Sequence, residues 1–490
     1  MKRLLKPVAA MTVLVFAGQS TCFAQPRQLP DFGTPADTVL SKNRERQLGY
    51  RVLLQLRNAG VIVDDPLLTE YIKNLGAKLS SQANNGDFDF DFFFVDDDSI
   101  NAFAMPGGHI GVNTGLMTAT ENESELASVL AHEVSHVTQR HAARAMYDTQ
   151  KMSIVSIATM LAAIALGAAG GSADAVNGVM MGGQAAAAQR QINFTRQNEY
   201  EADRIGIDVL YKAGFDPMAM ASFFGKLGRR YGSSQEFVPA LLQSHPVSAE
   251  RVAEARGRAR QLPAQSHQDS LAYGLAKARL QVLTAPTAQA AMDHFQSAVD
   301  SQDPAQRYGL ALSLMRLSLA DNAERVFRAL AADYPHVIAF RIGQAEALMA
   351  SGLTEQALSL YAESERLFPR NVPMTISYAE ALIDAGQPAA AHRLLLDLLN
   401  NVPPTPSQIE LIARAANAAG DVANAQYYMG EYHLAMGNLP LAISQVRMAL
   451  ENPDVNDVDR ARFRAKLDEW LSYLPEEERI RRGEDEPDKG

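Results

Sequence analysis

Three residues return together at a fixed interval in the C-terminal half of the chain. Ala323, Phe327 and Pro335 are followed by Ala357, Tyr361 and Pro369, and then by Ala391, Leu395 and Pro403, a spacing of 34 residues held three times. No other feature restricts the fold as strongly, because a unit this short cannot bury its own apolar face. Copies must stack side by side, each shielding the next. Alanine lets two helices cross closely, and proline ends the second helix of each pair. Ala311 and Ala345 fill the small position on the first helix, and a weaker unit centres on Ala291, Phe295 and Ala298. The pattern predicts four to five units over residues 271–474. It also predicts a slip in register after Pro403, with an odd helix near 406–419 turning the array before Gly430 and Ala442 resume it.

The period and its residues resemble the tetratricopeptide repeat. The resemblance implies an all-α solenoid whose inner surface binds peptides or partner proteins.

A second feature carries chemistry. His132-Glu133-Val134-Ser135-His136 sets two imidazoles four residues apart, so on a helix both face one metal ion. Glu133 lies about 100° further round, within reach of a water activated by that metal without being a ligand. Leu126, Val129, Leu130, Val134 and Val137 recur at helical spacing, and Thr120 with Glu123 reads as a capping box. A single helix over residues 121–146 is expected. The metzincin arrangement would need Gly at 139 and His at 142, where Gln139 and Ala142 stand. A third ligand must therefore come from a second helix. Glu199 and Asp203, one turn apart, offer it as Glu199. Asp203 then either fixes a histidine tautomer or donates a proton to the leaving group. Glu201 falls on another face and is expected to be exposed. His141, nine residues beyond His132, points away from the metal on a continuous helix and reads as a structural or surface residue. His245 either stabilises an oxyanion or occupies the open metal position.

His132 to His136 with Glu199-x-x-Ala202-Asp203 resembles the HtpX and CAAX-prenyl-protease family of gluzincins. Asn101 to Ile110, Arg140-His141, and Ser244-His245-Pro246 with Glu250-Arg251 extend the likeness over residues 41–261. The resemblance implies one zinc ion per chain held by His132, His136 and Glu199, with Glu133, Asp203 and His245 in catalytic roles. It also implies an edge strand near Asn101 beside the site, on which a substrate main chain would pair. His109 departs from the pattern, where an aromatic residue is expected. The predicted class is an α+β, mostly α, zincin-type domain over 41–261, followed by the repeat domain over 271–474.

Lys2, Arg3 and Lys6 precede an apolar run over residues 8–18, and Cys22-Phe23-Ala24 suits signal-peptidase cleavage after Ala24. A signal peptide over 1–24 and a linker over 25–40 follow. Cleavage would remove the only cysteine, and a thiol-free chain suits an oxidising periplasm. The formal charge of −11 becomes −14 without those three cations, so nucleic acid is excluded as a partner. Residues 152–173 carry no charge, and 152–188 reads either as an apolar lid or hairpin touching a bilayer, or as a buried helical pair. Residues 475–490 form a charged, disordered tail.

The pairing of domains resembles the periplasmic, repeat-bearing proteases of Gram-negative envelopes. That implies unfolded or misassembled outer-membrane proteins as substrates and the barrel-assembly machinery as a partner of the repeats. The rival reading is a repeat-based chaperone or adaptor whose zinc site is latent or structural.

Overall fold

The computed structural model describes residues 38–83, 88–149, 196–231, 239–297 and 301–474. The expected signal peptide (1–24), most of the 25–40 linker, the apolar 152–188 segment and the 475–490 tail lie outside them. The linker's last residues are not loose. Leu40 is fully buried and its carbonyl accepts a hydrogen bond from Arg140.

The catalytic half is a small sheet between helical layers. Helix α1 (Lys42–Asn58) is capped by Ser41, whose side chain accepts from the Arg44 amide. Helix α2 (Pro66–Ala83) starts on Asp65, which accepts from the Leu68 amide at 3.0 Å. Strands β1 (Asp91–Val95), β2 (Ala102–Ala104) and β3 (His109–Asn113) lie in the order β1-β3-β2, with β1 parallel and β2 antiparallel to β3. Side chains alternate across β1 as the strand period requires. Phe92 and Phe94 join the main core with α2, while Phe93 and Val95 pack against Val52, Leu53 and Leu56 of α1. The β2 strand is the sheet's edge.

Two helices replace the single one expected over 121–146: α4 (Glu123–Thr138) and α5 (His141–Thr149), following the short α3 (Thr114–Ala119). Arg140 breaks the helix in the left-handed region, at φ 52°. Its guanidinium is buried against Glu45 and the Leu40 carbonyl, contacts from distant sequence that stabilise a turn its own residue type disfavours. The N-cap also differs from expectation. Asn122, not Thr120, accepts from the Glu125 amide, and Glu125 in turn accepts from the Glu121 amide. Glu123 is used elsewhere, bonding Tyr71, His267 and Ser270.

Helix α6 (Arg196–Lys212) crosses α4, with α7 (Ala219–Tyr231), the short α8 (Ala240–Ser244) and α9 (Ala249–Ala259) completing this half. Gly206 makes the crossing close. A β-carbon there would sit 3.2 Å from the His132 amide nitrogen.

Beyond it the described residues form helices and no strand. Among the described residues, twelve helices over 271–474 form six consecutive pairs, against the four to five units expected. First helices start at 304, 338, 372 and 406, and second helices at 320, 354, 388 and 422. The 34-residue register therefore does not slip. Pro406–Ala418 is the ordinary first helix of its pair, not an odd element. Proline at 335, 369 and 403 gives way at 437 to Gly437, which ends its helix at φ 77° by left-handed conformation instead. Ala323, Ala357 and Ala391 are fully buried, and Ala425 continues the series. Among the described residues no helix is long and apolar enough to cross a membrane.

The array's first helices face α2. Arg279 pairs with Asp65 at 2.7 Å, Asn371 donates to Glu70 at 3.0 Å, and Ser407 donates to Asp64 at 2.9 Å. A cavity of about 550 Å³ remains between α2 and the array, lined in part by Glu70, Arg279, Glu346, Glu380 and Arg414. Burial pushes the Glu346 carboxyl up to about 7, although Arg279 opposes it. A carboxyl whose folded pKa is raised costs almost no stability at pH 4, where it is protonated in the folded chain and mostly so in the unfolded one. The cost grows as pH rises from its ordinary value through 7. Glu346→Gln is thus expected to raise the melting temperature at pH 8 by an amount corresponding to about 3 kcal/mol, and to leave it nearly unchanged at pH 4. Calorimetry at the two pH values checks this.

Candidate metal centre

Helix α4 is buried along nearly its whole length, so its polar residues must find partners inside the protein. His132, His136, Glu199 and His245 meet there, each buried, with one donor atom apiece lying within 4.8 Å of all the others. His132 Nε2 is 3.0 Å from His136 Nε2 and 3.3 Å from His245 Nδ1. Glu199 oxygens lie 3.5 Å from each of those two Nε2 atoms and 3.1 Å from His245 Nδ1. Donors bound at 2.0–2.1 Å around a tetrahedral zinc ion stand about 3.4 Å apart, which these separations approach.

Charge agrees with geometry. Glu133, Glu199 and Asp203 are buried together, and Arg251 is the buried guanidinium that faces them. With the imidazoles neutral, as metal ligands are, two unit negative charges are left over, which a divalent cation matches. Burial alone would push the His132 imidazole down, but Asp203 and Glu199 outweigh it and hold its pKa up at about 10, with a proton that a metal ion bound at Nε2 would displace. Glu199 stays well below the usual carboxylate range despite its burial, held there by His245 and His132. Burial drives the His136 imidazole far down and keeps it neutral, as a ligand must be. Glu133 moves the other way, raised by burial against the opposing pull of His245 and His132. A backbone hydrogen bond from Ala104, at the end of the edge strand, also acts on Glu133. Its Oε1 lies 3.5 Å from His245 Nε2 and has no hydrogen-bond partner among the described residues.

Asp203 is doubly committed. Its Oδ1 stands 2.9 Å from His132 Nδ1, while Arg251 donates to both oxygens at 2.8 Å. Arg251 also reaches Glu199 at 2.9 Å and the Pro246 carbonyl at 2.7 Å, tying α9 and the His245 loop to α6. Sequence reading assigned Arg251 no role. Its place three residues after the Ser248 cap of α9 was visible, but its partners on α6 were not.

Two expectations are corrected. His141 is not at the surface. It is fully buried, and the break at Arg140 swings it back so that its Nδ1 sits 2.8 Å from His136 Nδ1. Burial lowers its pKa to about 4. Glu201 is only partly exposed, and it meets His141 Nε2 at 3.3 Å and Arg144 at 2.9 Å. His109 stands outside the metal group, 3.7 Å from Asp91 at the start of β3.

Fold and site together define a zinc-dependent metalloendopeptidase domain joined to a tetratricopeptide array. The chain belongs to peptidase family M48, whose model matches residues 66–259, and a tetratricopeptide repeat model matches residues 348–415. It is 41% identical over 336 residues to the beta-barrel assembly-enhancing protease of Escherichia coli K12, covering 67% of each chain. The Yersinia pestis protein of the same name is 34% identical over 467 residues, covering 94% of this chain and 95% of that one. The metalloprotease LoiP of E. coli is 30% identical over 199 residues, covering 39% of this chain and 72% of its own.

Proposed function

We propose that the chain is a periplasmic zinc endopeptidase that acts on unfolded or stalled outer-membrane β-barrel proteins, and that His245 holds it latent. The group of four buried donors beside an edge strand carries this reading. His132 Nε2, His136 Nε2 and Glu199 hold the ion. When bound, zinc polarises the scissile carbonyl and acidifies a water. Glu133, raised toward neutrality by burial, accepts the proton and returns it to the leaving amine. Asp203 fixes His132 in the ligating tautomer, since both its oxygens are already committed. The outer edge of β2, from Ala102 to Ala104, where the Ala104 backbone also bonds Glu133, receives the substrate main chain as an added strand. That mode reads backbone rather than side chains and suits unfolded polypeptide.

A catalytic zinc keeps one position open, and His245 Nδ1, 3.3 Å from His132 Nε2 and 3.1 Å from Glu199, is close enough to fill it. Between the two roles weighed for His245, this placement supports restraint. The substrate class and the partner of the repeats rest on the names of the relatives. Export with cleavage after Ala24, and contact of the array with the barrel-assembly machinery, belong to the same proposal.

The test is cleavage of a urea-denatured outer-membrane β-barrel protein by the purified, zinc-loaded chain. His245→Ala is expected to raise the initial rate about tenfold with zinc content near one per chain, and chelation is expected to abolish cleavage. A rate unchanged or lowered in His245→Ala refutes the latch. Cleavage that survives complete zinc removal refutes the peptidase mechanism.

A further inference from the structure

We propose that His141 is a positioning residue for the metal centre, acting on His136 through a neutral relay that Glu201 sets. The inference rests on the reading of His136 as a zinc ligand and goes beyond it.

The direction of each hydrogen bond follows from the chain's end. Glu201 Oε2 is a carboxylate oxygen and accepts only, already taking a hydrogen bond from Arg144 at 2.9 Å. His141 Nε2, 3.3 Å away, therefore carries the proton. A neutral imidazole has one donor and one acceptor, so His141 Nδ1 accepts. Its partner at 2.8 Å, His136 Nδ1, must then donate. That leaves the lone pair of His136 on Nε2, the atom facing His132 Nε2 and Glu199. The relay thus holds His136 in the one tautomer that can ligate and fixes the ring's orientation.

The two motif histidines are supported differently. His132 leans on an anion, Asp203, backed by Arg251, while His136 leans on a neutral imidazole backed by Glu201 and Arg144. An aspartate in place of His141 would add a further buried charge beside three carboxylates. The imidazole supplies the acceptor without it. Its position depends on the left-handed turn at Arg140, which Glu45 and the Leu40 carbonyl secure.

Zinc affinity measured by competition with a chromogenic chelator tests the relay independently of turnover. His141→Leu is expected to weaken zinc binding by about 10- to 100-fold, the usual cost of losing an outer partner of a ligating histidine. His141→Asn, whose side-chain oxygen can stand in for Nδ1, is expected to recover binding to within a few fold of wild type. Glu201→Gln, which leaves His141 in place, is expected to weaken binding severalfold. The proposal is overturned if His141→Leu binds zinc within twofold of wild type, or if His141→Asn is no better than His141→Leu. If His141→Leu does not fold, wild-type affinity in both Glu201→Gln and Glu201→Leu, the second of which keeps no acceptor for His141 Nε2, overturns it equally. His136→Ala is measured alongside. Undiminished zinc binding there would mean that the ligand reading has failed, not the relay.

Discussion

Replacing Glu133 with glutamine is expected to lower the turnover number at least about 1,000-fold, while leaving zinc content, fold and partner binding in place. The amide keeps the shape of the carboxylate but cannot take a proton, and positioned general bases contribute roughly 10² to 10⁴ in rate. Glu133 is fully buried and is not one of the four grouped donors, so its loss does not uncover the metal. Removing a buried carboxylate whose pKa burial already raises also costs little stability. Single-turnover cleavage, measured beside elemental zinc analysis, checks both halves of the expectation. The same variant separates the enzyme from the adaptor. A Glu133→Gln chain that cleaves nothing yet restores normal outer-membrane protein levels in cells would show that the array, not hydrolysis, carries the biological role.

The second large effect is expected at Glu199. Glutamine there removes the anionic donor from the group and takes from Arg251 one of its two buried carboxylate partners. Zinc affinity is expected to fall by more than about 100-fold, beyond what loss of an outer partner costs. The zinc-free variant should also unfold at a lower temperature than zinc-free wild type, because a buried guanidinium keeps its desolvation cost while losing part of its pairing. Isothermal titration with zinc and thermal denaturation of the chelated proteins read these separately. Full zinc occupancy and wild-type turnover in Glu199→Gln would remove Glu199 from the ligand set.

Much of the architecture was open to reading before any coordinates, because it is written in local periods. The four-residue spacing of His132 and His136, and of Glu199 and Asp203, needs only helix geometry to place each pair on one face. Alanine and aromatic positions at 34-residue intervals identify stacked helix pairs for the same reason. The readings that failed share a cause. His141 was placed on the far face by counting 100° per residue through Arg140, and that count is void once the helix breaks. The repeat register was followed through proline, and the trail ended where Gly437 performed the same stop by other means.

The sequence by itself therefore determined the elements, the motif faces and the class of chemistry, since each depends on neighbours within a turn or two of helix. Tertiary structure alone decided what lies across from those faces. Gly206 lets α6 approach α4, and Arg251 reaches back to Glu199 and Asp203. His245 comes within reach of His132 and Glu199, and the array settles on α2. These contacts join residues from about 45 to more than 300 positions apart. No local period encodes them, because they follow from how the helices pack in three dimensions.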